Sequence, residues 1–408
     1  PRRGSRRGPA PRAMSIFGKL TEQYSELWKA VIRPPRDIYE KRDLGPTVFS
    51  IEGRTFQRTD LTLKNPRGLR LVCSHFEPII CERVAAQLPC VIYLHGNCSS
   101  RLEAVSSLPV LLPFNITVFC LDFAGSGLSE GEYLSLGYYE RDDLAAAVKH
   151  LRASHRVTCI GLWGRSMGAS TALLHADRDS SIAGLVLDSP FSDLRVLCEE
   201  LVDFYTNSTI PRFVVRMALE MVRSSISQHG NFDIYDLAPI QHVKNCCIPA
   251  LFAAADKDNF ILPHHAKELY ELFAGEKTLV MVEGDHNSSR SKYFMDSIAI
   301  FFFNALQCDR LPQRREPRIL PLPPKGLLHG SAGAQDQAKP KARPEAGNGV
   351  AVDVCRGADD RRQEDEAVRL DSEFSPRASS GQSQWPKQGG GDRDDAQPLG
   401  LQMQPPNR

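Results

Sequence analysis

One short stretch of the sequence constrains strongly what the chain can fold into. Residues 157–163 form an apolar run typical of a buried strand, and the next five residues, 164–168, read GRSMG. Small residues compatible with a helix follow this G-x-S-x-G turn. Strand, turn and helix together predict a nucleophile elbow, in which the central serine is lifted above a sheet. Glycine is expected at both flanking positions because a side chain there would clash with the neighbouring strand and helix.

Ser166, at the centre of this turn, is the predicted nucleophile. It would lie at the N-terminus of a helix, where exposed N–H groups and the helix dipole favour negative charge. A serine hydroxyl needs a general base at neutral pH, and that base needs a carboxylate to orient it. The motif alone is a weak indication because glycine and serine are common residues. The prediction therefore depends on finding both partners in the right order.

Strands and helices alternate along the rest of the chain. Besides the elbow strand, seven runs are predicted to be strands, at residues 56–63, 69–76, 90–94, 116–121, 182–187, 249–255 and 278–282. The first two form an antiparallel hairpin, and the later alternation predicts an α/β fold with a mostly parallel sheet and helices on both faces. Functional groups of such sheets gather at the carboxyl ends of the strands. Five candidates follow strands in this way: His95, Ser166, Asp188, Asp258 and His286.

Two residues downstream of Ser166 are predicted to complete a Ser-His-Asp triad. On a nucleophile-elbow fold the acid and then the histidine follow the serine along the chain. Asp258 follows a strand, and His286 lies in the loop before the last helix. Asp256 competes for the role of the acid, but Asp258 lies further past the strand, where a carboxylate can turn toward the histidine. Asp188 ranks third because it ends an earlier strand.

Two backbone donors are needed for the oxyanion that forms in acyl transfer. One is predicted to be the N–H of Met167, the residue after the serine. The second is the N–H of Asn97 or Cys98, in the loop after the first parallel strand. His95, in the same loop, is expected to hold the loop in place and not to take part in the chemistry.

Composition excludes several classes of function. The 408 residues carry 50 Lys and Arg against 49 Asp and Glu, so no nucleic-acid partner is predicted. The glycine-rich segment 124–129 lacks both the G-K-[ST] and the G-x-G-x-x-G patterns, so no nucleotide cofactor is predicted. No group of His, Asp and Glu residues has the spacing of metal ligands, and no metal is predicted.

The eleven cysteines are scattered, with no C-x-x-C pair, and several lie in apolar runs. We expect free thiols in a reducing compartment, which favours the cytoplasm. An organelle is the alternative if the Arg- and Pro-rich start belongs to a transit peptide. An amphipathic helix predicted over residues 15–33 is expected to pack on the domain, with peripheral contact to a membrane as the alternative.

The α/β domain is predicted over residues 15–307, between a disordered basic segment, 1–14, and a disordered tail, 308–408, that is poor in apolar residues. An insertion at about residues 191–247 contains two helical patterns. The second pattern places six apolar residues at helical spacing on one face: Phe213, Val214, Met217, Ala218, Met221 and Val222. This face is predicted to be core, and a cap that lines an apolar pocket over the active site is the alternative.

Several motifs in order resemble a known family. They are HGN at 95–97, LDFAGSGLSEG at 121–131, GLWGRSMGAS at 161–170, LDSPFSDL at 187–194 and GDH at 284–286. Together they resemble the α/β-hydrolase fold, and more narrowly its serine aminopeptidase-like branch, which includes monoacylglycerol-lipase-like and depalmitoylase-like proteins. These motifs and the N-terminal helix are also similar to poorly characterised plant and protist members.

The resemblance covers about residues 15–307 and implies a serine hydrolase with Ser166, Asp258 and His286 as its triad. Most relatives cleave esters or thioesters. The expected substrate is therefore a small or acylated molecule with an apolar acyl group, cleaved through an acyl-enzyme without a cofactor. A peptidase of the serine aminopeptidase type and a non-catalytic binding protein on the same fold are the alternatives.

Overall fold

The structure, a computed structural model, describes Ser25, residues 28–206 and residues 209–312. Its strands are β1 (Val48–Ile51), β2 (Arg54–Lys64), β3 (Arg70–Pro78), β4 (Leu88–Leu94), β5 (Thr117–Leu121), β6 (Val157–Arg165), β7 (Gly184–Asp188), β8 (Ala250–Ala255) and β9 (Lys277–Val282). They form one sheet in the spatial order β1-β2-β3-β5-β4-β6-β7-β8-β9.

Most α-helices lie in the connections between strands, and the last one follows β9. These are α1 (Leu108–Leu111), α2 (Glu140–Ala153), α3 (Met167–Ala176), α4 (Leu194–Tyr205), α5 (Arg212–Gly230), α6 (Pro263–Leu272) and α7 (Lys292–Ala305). Short 3₁₀ helices lie at Lys41–Leu44, Ile80–Glu82, Arg101–Ser107, Leu112–Phe114, Ile234–Asp236, Pro239–Gln241, Val243–Asn245 and Cys308–Arg310.

The sheet combines an antiparallel edge with a parallel body. β1, β2 and β3 pair antiparallel with their neighbours, whereas all neighbours from β5 to β9 are parallel. This confirms the predicted α/β class, and the predicted hairpin corresponds to β2 and β3. β1 was not predicted, because four residues at the edge of a sheet are too few to show a clear alternation.

The central strands are buried on both faces. Ile92 and Leu94 of β4 belong to one cluster of buried side chains, which includes residues of α2 and α3. Val91 and Tyr93 of the same strand belong to a second cluster, which includes residues of α1 and α7. Because side chains alternate between the two faces of a strand, helices cover the sheet on both sides. The loops at the carboxyl ends of the strands then form the edge where a site can lie.

The two glycines of the G-x-S-x-G turn lie where backbones approach closely. A Cβ at Gly164 would lie 2.3 Å from the carbonyl oxygen of Gly168. A Cβ at Gly168 would lie 2.1 Å from the carbonyl oxygen of Leu94, in β4. Both obstacles are backbone atoms, which cannot turn aside as a side chain can. The prediction that both positions require glycine is confirmed.

The insertion between β7 and β8 contains α4 and α5. On α5, Leu219 and Val222 are buried, but Phe213, Met217 and Met221 are 72%, 61% and 53% exposed. The prediction that this face is core is therefore wrong for Phe213, Met217 and Met221 and confirmed for Val222, which is buried. The helix carries apolar residues on two faces, and spacing alone does not tell which of the two packs against the domain.

The described part of the N-terminal helix packs on the domain, as predicted. Residues 28–32 are helical, and Trp28 and Ile32 belong to the first core cluster. The Trp28 ring stacks on His229 of α5, with 4.2 Å between ring centroids. The remainder of the helix predicted over residues 15–33, apart from Ser25, lies outside the described residues.

The domain continues past the predicted boundary at residue 307. Cys308 is 4% exposed and belongs to the second core cluster, so the chain leaves the domain slightly later than predicted. Residues 1–14 and 313–408, which include most of the tail predicted to be disordered, lie outside the described residues. Among the helices that the structure describes, none is long and apolar enough to cross a membrane.

We expect Gly168→Ala to destabilise the domain by about 3 kcal/mol or more, because the added methyl would overlap the Leu94 backbone. Urea unfolding followed by circular dichroism measures this free energy. Gly96→Ala is a matched control, since a Cβ at that position would meet nothing closer than 3.7 Å. The control should change the free energy of unfolding by less than about 1 kcal/mol. Equal stability of the two variants would contradict the close approach.

Candidate active site

Ser166 makes the turn between β6 and α3. β6 ends at Arg165 and α3 begins at Met167. The φ of 53° and ψ of −120° at Ser166 are unusual for a residue other than glycine, and such a conformation costs about 1–3 kcal/mol. The Ser166 N–H donates to the carbonyl oxygen of Asp188 at 2.7 Å. The end of β7 thus helps to hold the turn.

His286 and Asp258 form a hydrogen-bonded chain with Ser166. The Oγ of Ser166 lies 3.1 Å from Nε2 of His286, and Nδ1 of His286 lies 2.7 Å from Oδ2 of Asp258. A neutral imidazole with its proton on Nδ1 donates to Asp258 and accepts from the serine hydroxyl. Asp258 is only 3% exposed and Ser166 only 8%. The structure thus brings the three predicted residues together in a nearly dry setting, where electrostatic interactions are strong.

Of the carboxylates considered from the sequence, Asp258 is the one that contacts His286. Its second oxygen, Oδ1, accepts from the N–H groups of Phe260 and Ile261 at 3.0 and 2.8 Å, which fixes the carboxylate. Asp256 is exposed, and its Oδ1 accepts from the N–H of Gly284 at 2.9 Å. The Asp256 carboxylate therefore stabilises the loop that precedes His286, through this hydrogen bond.

Asp188, the third carboxylate considered, is occupied by an arginine. Nε and Nη2 of Arg290 donate to its two oxygens at 2.8 and 2.9 Å, and both side chains are 3% exposed. Arg290 also donates through Nη1 to the carbonyl oxygens of Asp285 and Ser288, at 3.2 and 3.1 Å. This buried pair ties the loop that carries His286 to the end of β7. Sequence reasoning missed Arg290, and its place four residues after the histidine was the only signal.

A second arginine, Arg165, links three loops around Ser166. Its Nη2 donates to the carbonyl oxygen of His286 at 2.8 Å, and its Nη1 lies 3.7 Å from Oε1 of Glu103. The other oxygen of Glu103 accepts from the N–H of Gly96 at 3.0 Å. The loop after β4, the elbow and the histidine loop are therefore connected through one charged pair. Beyond the position of Arg165 inside the elbow, no sequence pattern indicates this role.

The loop after β4 lies beside Ser166. A Cβ at Gly96 would be 3.7 Å from the Cβ of Ser166. The N–H of Cys98 donates to Oδ1 of Asn97 at 3.0 Å, so this N–H is occupied. For the N–H groups of Asn97 and Met167, no acceptor is found among the described residues. Of the two alternatives for the second oxyanion donor, the geometry favours Asn97.

His95 is fully buried behind this loop. Its Nε2 accepts from the N–H of Phe123 at 3.2 Å, and its Nδ1 lies 2.8 Å from the carbonyl oxygen of Gly96. Both ring nitrogens are thus used within the fold. This is the supporting position that the sequence predicted for His95.

Cys98 is the thiol in the loop beside Ser166. Burial raises the pKa of Cys98 to about 11, because a thiolate loses hydration when it is enclosed. The thiol is therefore protonated at neutral pH, and a protonated thiol is a poor nucleophile. Cys98 is therefore a poorer candidate nucleophile than Ser166.

The glycine-rich segment 124–129 folds around a carboxylate and not around a phosphate site. Asp122 is fully buried and accepts from the N–H of Leu128 at 2.8 Å and from the hydroxyl of Tyr39 at 2.7 Å. A Cβ at Gly127 would lie 2.5 Å from the Asp122 carboxyl carbon.

A group of residues suited to a metal ion lies where the insertion meets α6. Glu200, His264 and His265 each present one ligand atom, and these atoms lie within 4.8 Å of one another. Glu200 belongs to α4 and the two histidines to the first turn of α6. The spacing of residues along the sequence does not indicate this group, because 64 residues separate Glu200 from His264 and only the fold brings them together.

Two family models match the chain. One is described as serine aminopeptidase, S33, and matches residues 87–233. The other is described as PhoPQ-activated pathogenicity-related protein and matches residues 220–317. The first range contains the elbow with Ser166, and the second contains Asp258 and His286.

The chain also resembles curated proteins. It is 28% identical over 207 residues to the uncharacterized protein YqkD of Bacillus subtilis (strain 168), and the aligned region covers 50% of this chain and 66% of that protein. It is 26% identical over 207 residues to lysophosphatidylserine lipase ABHD12 of Xenopus tropicalis, and the aligned region covers 48% of this chain and 50% of that protein. The chain thus spans about half to two thirds of the length of these relatives.

Solved structures share the fold. The Pyrococcus furiosus esterase Pf2001 is 19% identical with a TM-score of 0.51, over 67% of this chain and 98% of that chain. The hypothetical protein PA2218 from Pseudomonas aeruginosa is 14% identical with a TM-score of 0.52, over 66% of this chain and 99% of that chain. The sheet order, the strand–turn–helix elbow at Ser166 and these similarities all indicate the same fold. The chain is a member of the α/β-hydrolase superfamily.

Proposed function

We propose that the protein is a serine hydrolase that cleaves a carboxylic ester or thioester through an acyl-enzyme. One observation carries this proposal: Ser166 Oγ, His286 and Asp258 are joined by contacts of 3.1 and 2.7 Å at the end of a sheet. In the proposed roles Ser166 is the nucleophile, His286 the general base and acid, and Asp258 the group that orients the imidazole.

Acylation begins when the hydroxyl oxygen of Ser166 attacks the carbonyl carbon of the substrate. His286 Nε2 takes the hydroxyl proton, and the negative charge of Asp258 stabilises the imidazolium that forms. When the tetrahedral intermediate collapses, the bond from the carbonyl carbon to the alcohol or thiol breaks. The leaving group takes the proton from His286, and the acyl group stays on Ser166.

Deacylation repeats these steps with water. His286 removes a proton from a water molecule, which attacks the acyl carbon, and the bond to Ser166 Oγ then breaks. The serine recovers its proton from His286, and a carboxylic acid leaves. The products are one acid and one alcohol or thiol, and no cofactor enters the balance.

The oxyanion of both intermediates is proposed to be bound by the N–H groups of Met167 and Asn97. Met167 lies in the first turn of α3, where N–H groups have no partner within the helix. Preorganised donors of this kind act where charge develops, and losing one typically costs about 100- to 1000-fold in kcat. The N–H of Asn97 comes from the loop beside Ser166.

We propose a substrate with an apolar acyl group. The insertion supports this, because Phe213, Met217 and Met221 form an exposed apolar ridge on α5, and such patches often mark binding surfaces. A curated relative is a lysophosphatidylserine lipase. An aminopeptidase would need a carboxylate for the substrate amine, but two carboxylates beside the Ser166 loops, Glu103 and Asp188, are held by arginine or backbone donors. We therefore favour ester over peptide cleavage.

Ser166→Ala is expected to lower kcat/KM for p-nitrophenyl esters by a factor on the order of 10⁴ or more, since no other group can form the acyl-enzyme. Initial rates with acyl chains of graded length measure both the loss and the chain preference. Ser224→Ala, at an exposed serine of α5, is the control and should keep the wild-type rate. Residual hydrolysis by Ser166→Ala within tenfold of wild type would rule out the proposed nucleophile.

Asp258→Asn is expected to lower kcat by about 10⁴-fold, because an amide cannot stabilise the imidazolium and favours the wrong tautomer. Asp256→Asn serves as the matched variant: its carboxylate contacts only the Gly284 backbone among the described residues, so kcat should stay within about tenfold. Steady-state kinetics of both variants decides between them. A larger loss for Asp256→Asn would assign the acid role to the other aspartate.

Arg290 holds the loop that carries His286 and is the buried partner of Asp188, so replacing this arginine should lower the free energy of unfolding. Arg290→Gln is expected to lower the free energy of unfolding by about 3–5 kcal/mol, since Asp188 would remain buried without its partner. Urea unfolding of the single variants and of Asp188→Asn/Arg290→Gln measures the coupling. The double variant should lose less than the sum of the single losses. Strict additivity would show that the pair does not act as a unit.

A further inference from the structure

A second cluster of polar side chains lies at the junction of the insertion and α6, outside the proposed triad. Nε2 of His264 lies 2.7 Å from Oε1 of Glu200, and Nε2 of His265 lies 3.0 Å from Oε2 of the same carboxylate. The two imidazole rings stack with 4.3 Å between centroids. Each of the three residues therefore presents one possible ligand atom, and these atoms lie within 4.8 Å of one another.

The protons available do not satisfy this arrangement in the neutral state. Nδ1 of His264 lies 3.1 Å from Oε1 of Glu268, so each ring nitrogen of His264 faces a carboxylate oxygen. A neutral imidazole has one N–H and can donate to only one of the two. The other contact would place a nitrogen lone pair against a carboxylate oxygen. Either a second proton on His264 or a metal cation between the Nε2 atoms and Glu200 removes this conflict.

The outer nitrogens of both histidines have polar partners. Nδ1 of His264 faces Glu268, as is common around metal sites. Nδ1 of His265 lies 2.7 Å from the hydroxyl of Ser192 and accepts from the Ser192 N–H at 3.2 Å, so zinc at Nε2 requires the ring proton to move to Nδ1, toward that hydroxyl. The same hydroxyl can donate to Oε2 of Glu268 at 3.2 Å. Metal-bound histidines usually donate their second N–H to a carboxylate or another acceptor, which directs the lone pair of the other nitrogen to the metal.

The cluster is enclosed on one side and open on the other. The His265 side chain is fully buried, whereas those of Glu200 and His264 are 26% and 38% exposed. An ion can therefore enter from solvent past Glu200 and His264 and contact the buried His265 side chain. Two imidazoles and a carboxylate are a ligand set that zinc favours.

We propose that Glu200, His264 and His265 bind a zinc ion that ties helix α4 of the insertion to the start of α6. Ligand atoms around tetrahedral zinc lie about 3.3 Å apart, as follows from bonds of about 2.0–2.1 Å. The contacts of 2.7 and 3.0 Å are shorter than this separation, and all three ligand atoms lie within 4.8 Å of one another, so zinc binding requires the side chains to adjust their spacing. Glu268 and Ser192 complete the outer ring.

The position of the zinc gives it a structural role. α6 begins at Pro263, and the preceding loop includes Ile261, whose N–H donates to Asp258 at 2.8 Å. Zinc would thus fix the insertion against the segment that holds the proposed acid. The ion takes no part in the proposed chemistry, so zinc binding and hydrolysis can be tested separately.

Titration of the tag-free full chain with Zn²⁺, after removal of metal by a chelator, tests the proposal. Calorimetry in the presence of a competing chelator should show one zinc per chain. At free zinc about 100 times the Kd, Tm should rise by about 5–10 °C. Co²⁺ as a probe should give the visible absorption of a tetrahedral site. Zinc below half an equivalent at saturation, or an unchanged Tm, would overturn the proposal.

Variants assign the binding to this cluster. Glu200→Gln and His264→Gln should weaken zinc binding by more than about 100-fold, and Glu268→Gln by about 10- to 100-fold, as expected for an outer partner. His242→Gln is the matched control: it breaks a 2.8 Å contact with Asp177 in a pair without further metal ligands among the described residues. Circular dichroism confirms that each variant is folded, and Glu268→Gln remains informative if the others are not.

Two outcomes would contradict the site even if zinc binds. Equal affinity of wild type and Glu200→Gln would place the ion elsewhere, for example at an exposed thiol such as Cys81 or Cys247. A stability that follows pH but not zinc would identify a hydrogen-bonded histidine–carboxylate network without a metal. Ser166→Ala should bind zinc as wild type does, which separates this proposal from the proposed hydrolase activity.

Discussion

The close approach of α3 to the end of β4 is the constraint on which the proposed site depends. Because glycine has no Cβ at positions 164 and 168, the backbones can approach closely and the chain can turn from strand to helix within one residue. Ser166 is left in a strained conformation at the mouth of the sheet, with its hydroxyl toward His286. The strained conformation of Ser166 is maintained by its neighbours: β4 packs against the turn, and the carbonyl oxygen of Asp188 at the end of β7 accepts from the Ser166 N–H.

The loops that surround Ser166 come from distant parts of the chain, and charged pairs hold them together. Arg290 joins the histidine loop to Asp188 at the end of β7. Arg165 joins the same loop to Glu103, and thereby to the loop that carries Asn97. The Arg290–Asp188 pair is buried, and buried pairs contribute little net stability, but removing one partner is costly. Their effect is to specify one arrangement of loops, which a three-residue relay needs.

Much of the fold and of the proposed site follows from the sequence because its signals are local. The glycines around Ser166 mark a turn, apolar runs mark buried strands, and a parallel sheet gathers strand ends on one edge. These signals alone predict that Ser166, Asp258 and His286 lie near one another. The choice between Asp256 and Asp258 needed the structure, since both follow β8 and only a contact distance separates them.

The features that sequence reasoning missed depend on contacts between distant segments. The apolar face of α5 with Phe213 was predicted to be core and is exposed, because the helix has a second apolar face that packs. Arg290 lies in a loop without periodicity, and its partner is 102 residues away. Glu200 meets His264 only where the insertion folds back on α6. Spacing along the chain carries no information on such pairs.

Labelling with a fluorophosphonate, followed by peptide mapping, tests the central claim most directly. The reagent reacts with a serine only where a base activates it. The account predicts one adduct, on the peptide that contains Ser166, and a labelling rate that falls sharply in His286→Ala. An intact protein that stays unlabelled, or that carries its adduct on another serine, would contradict the claim that Ser166 and His286 form an active pair.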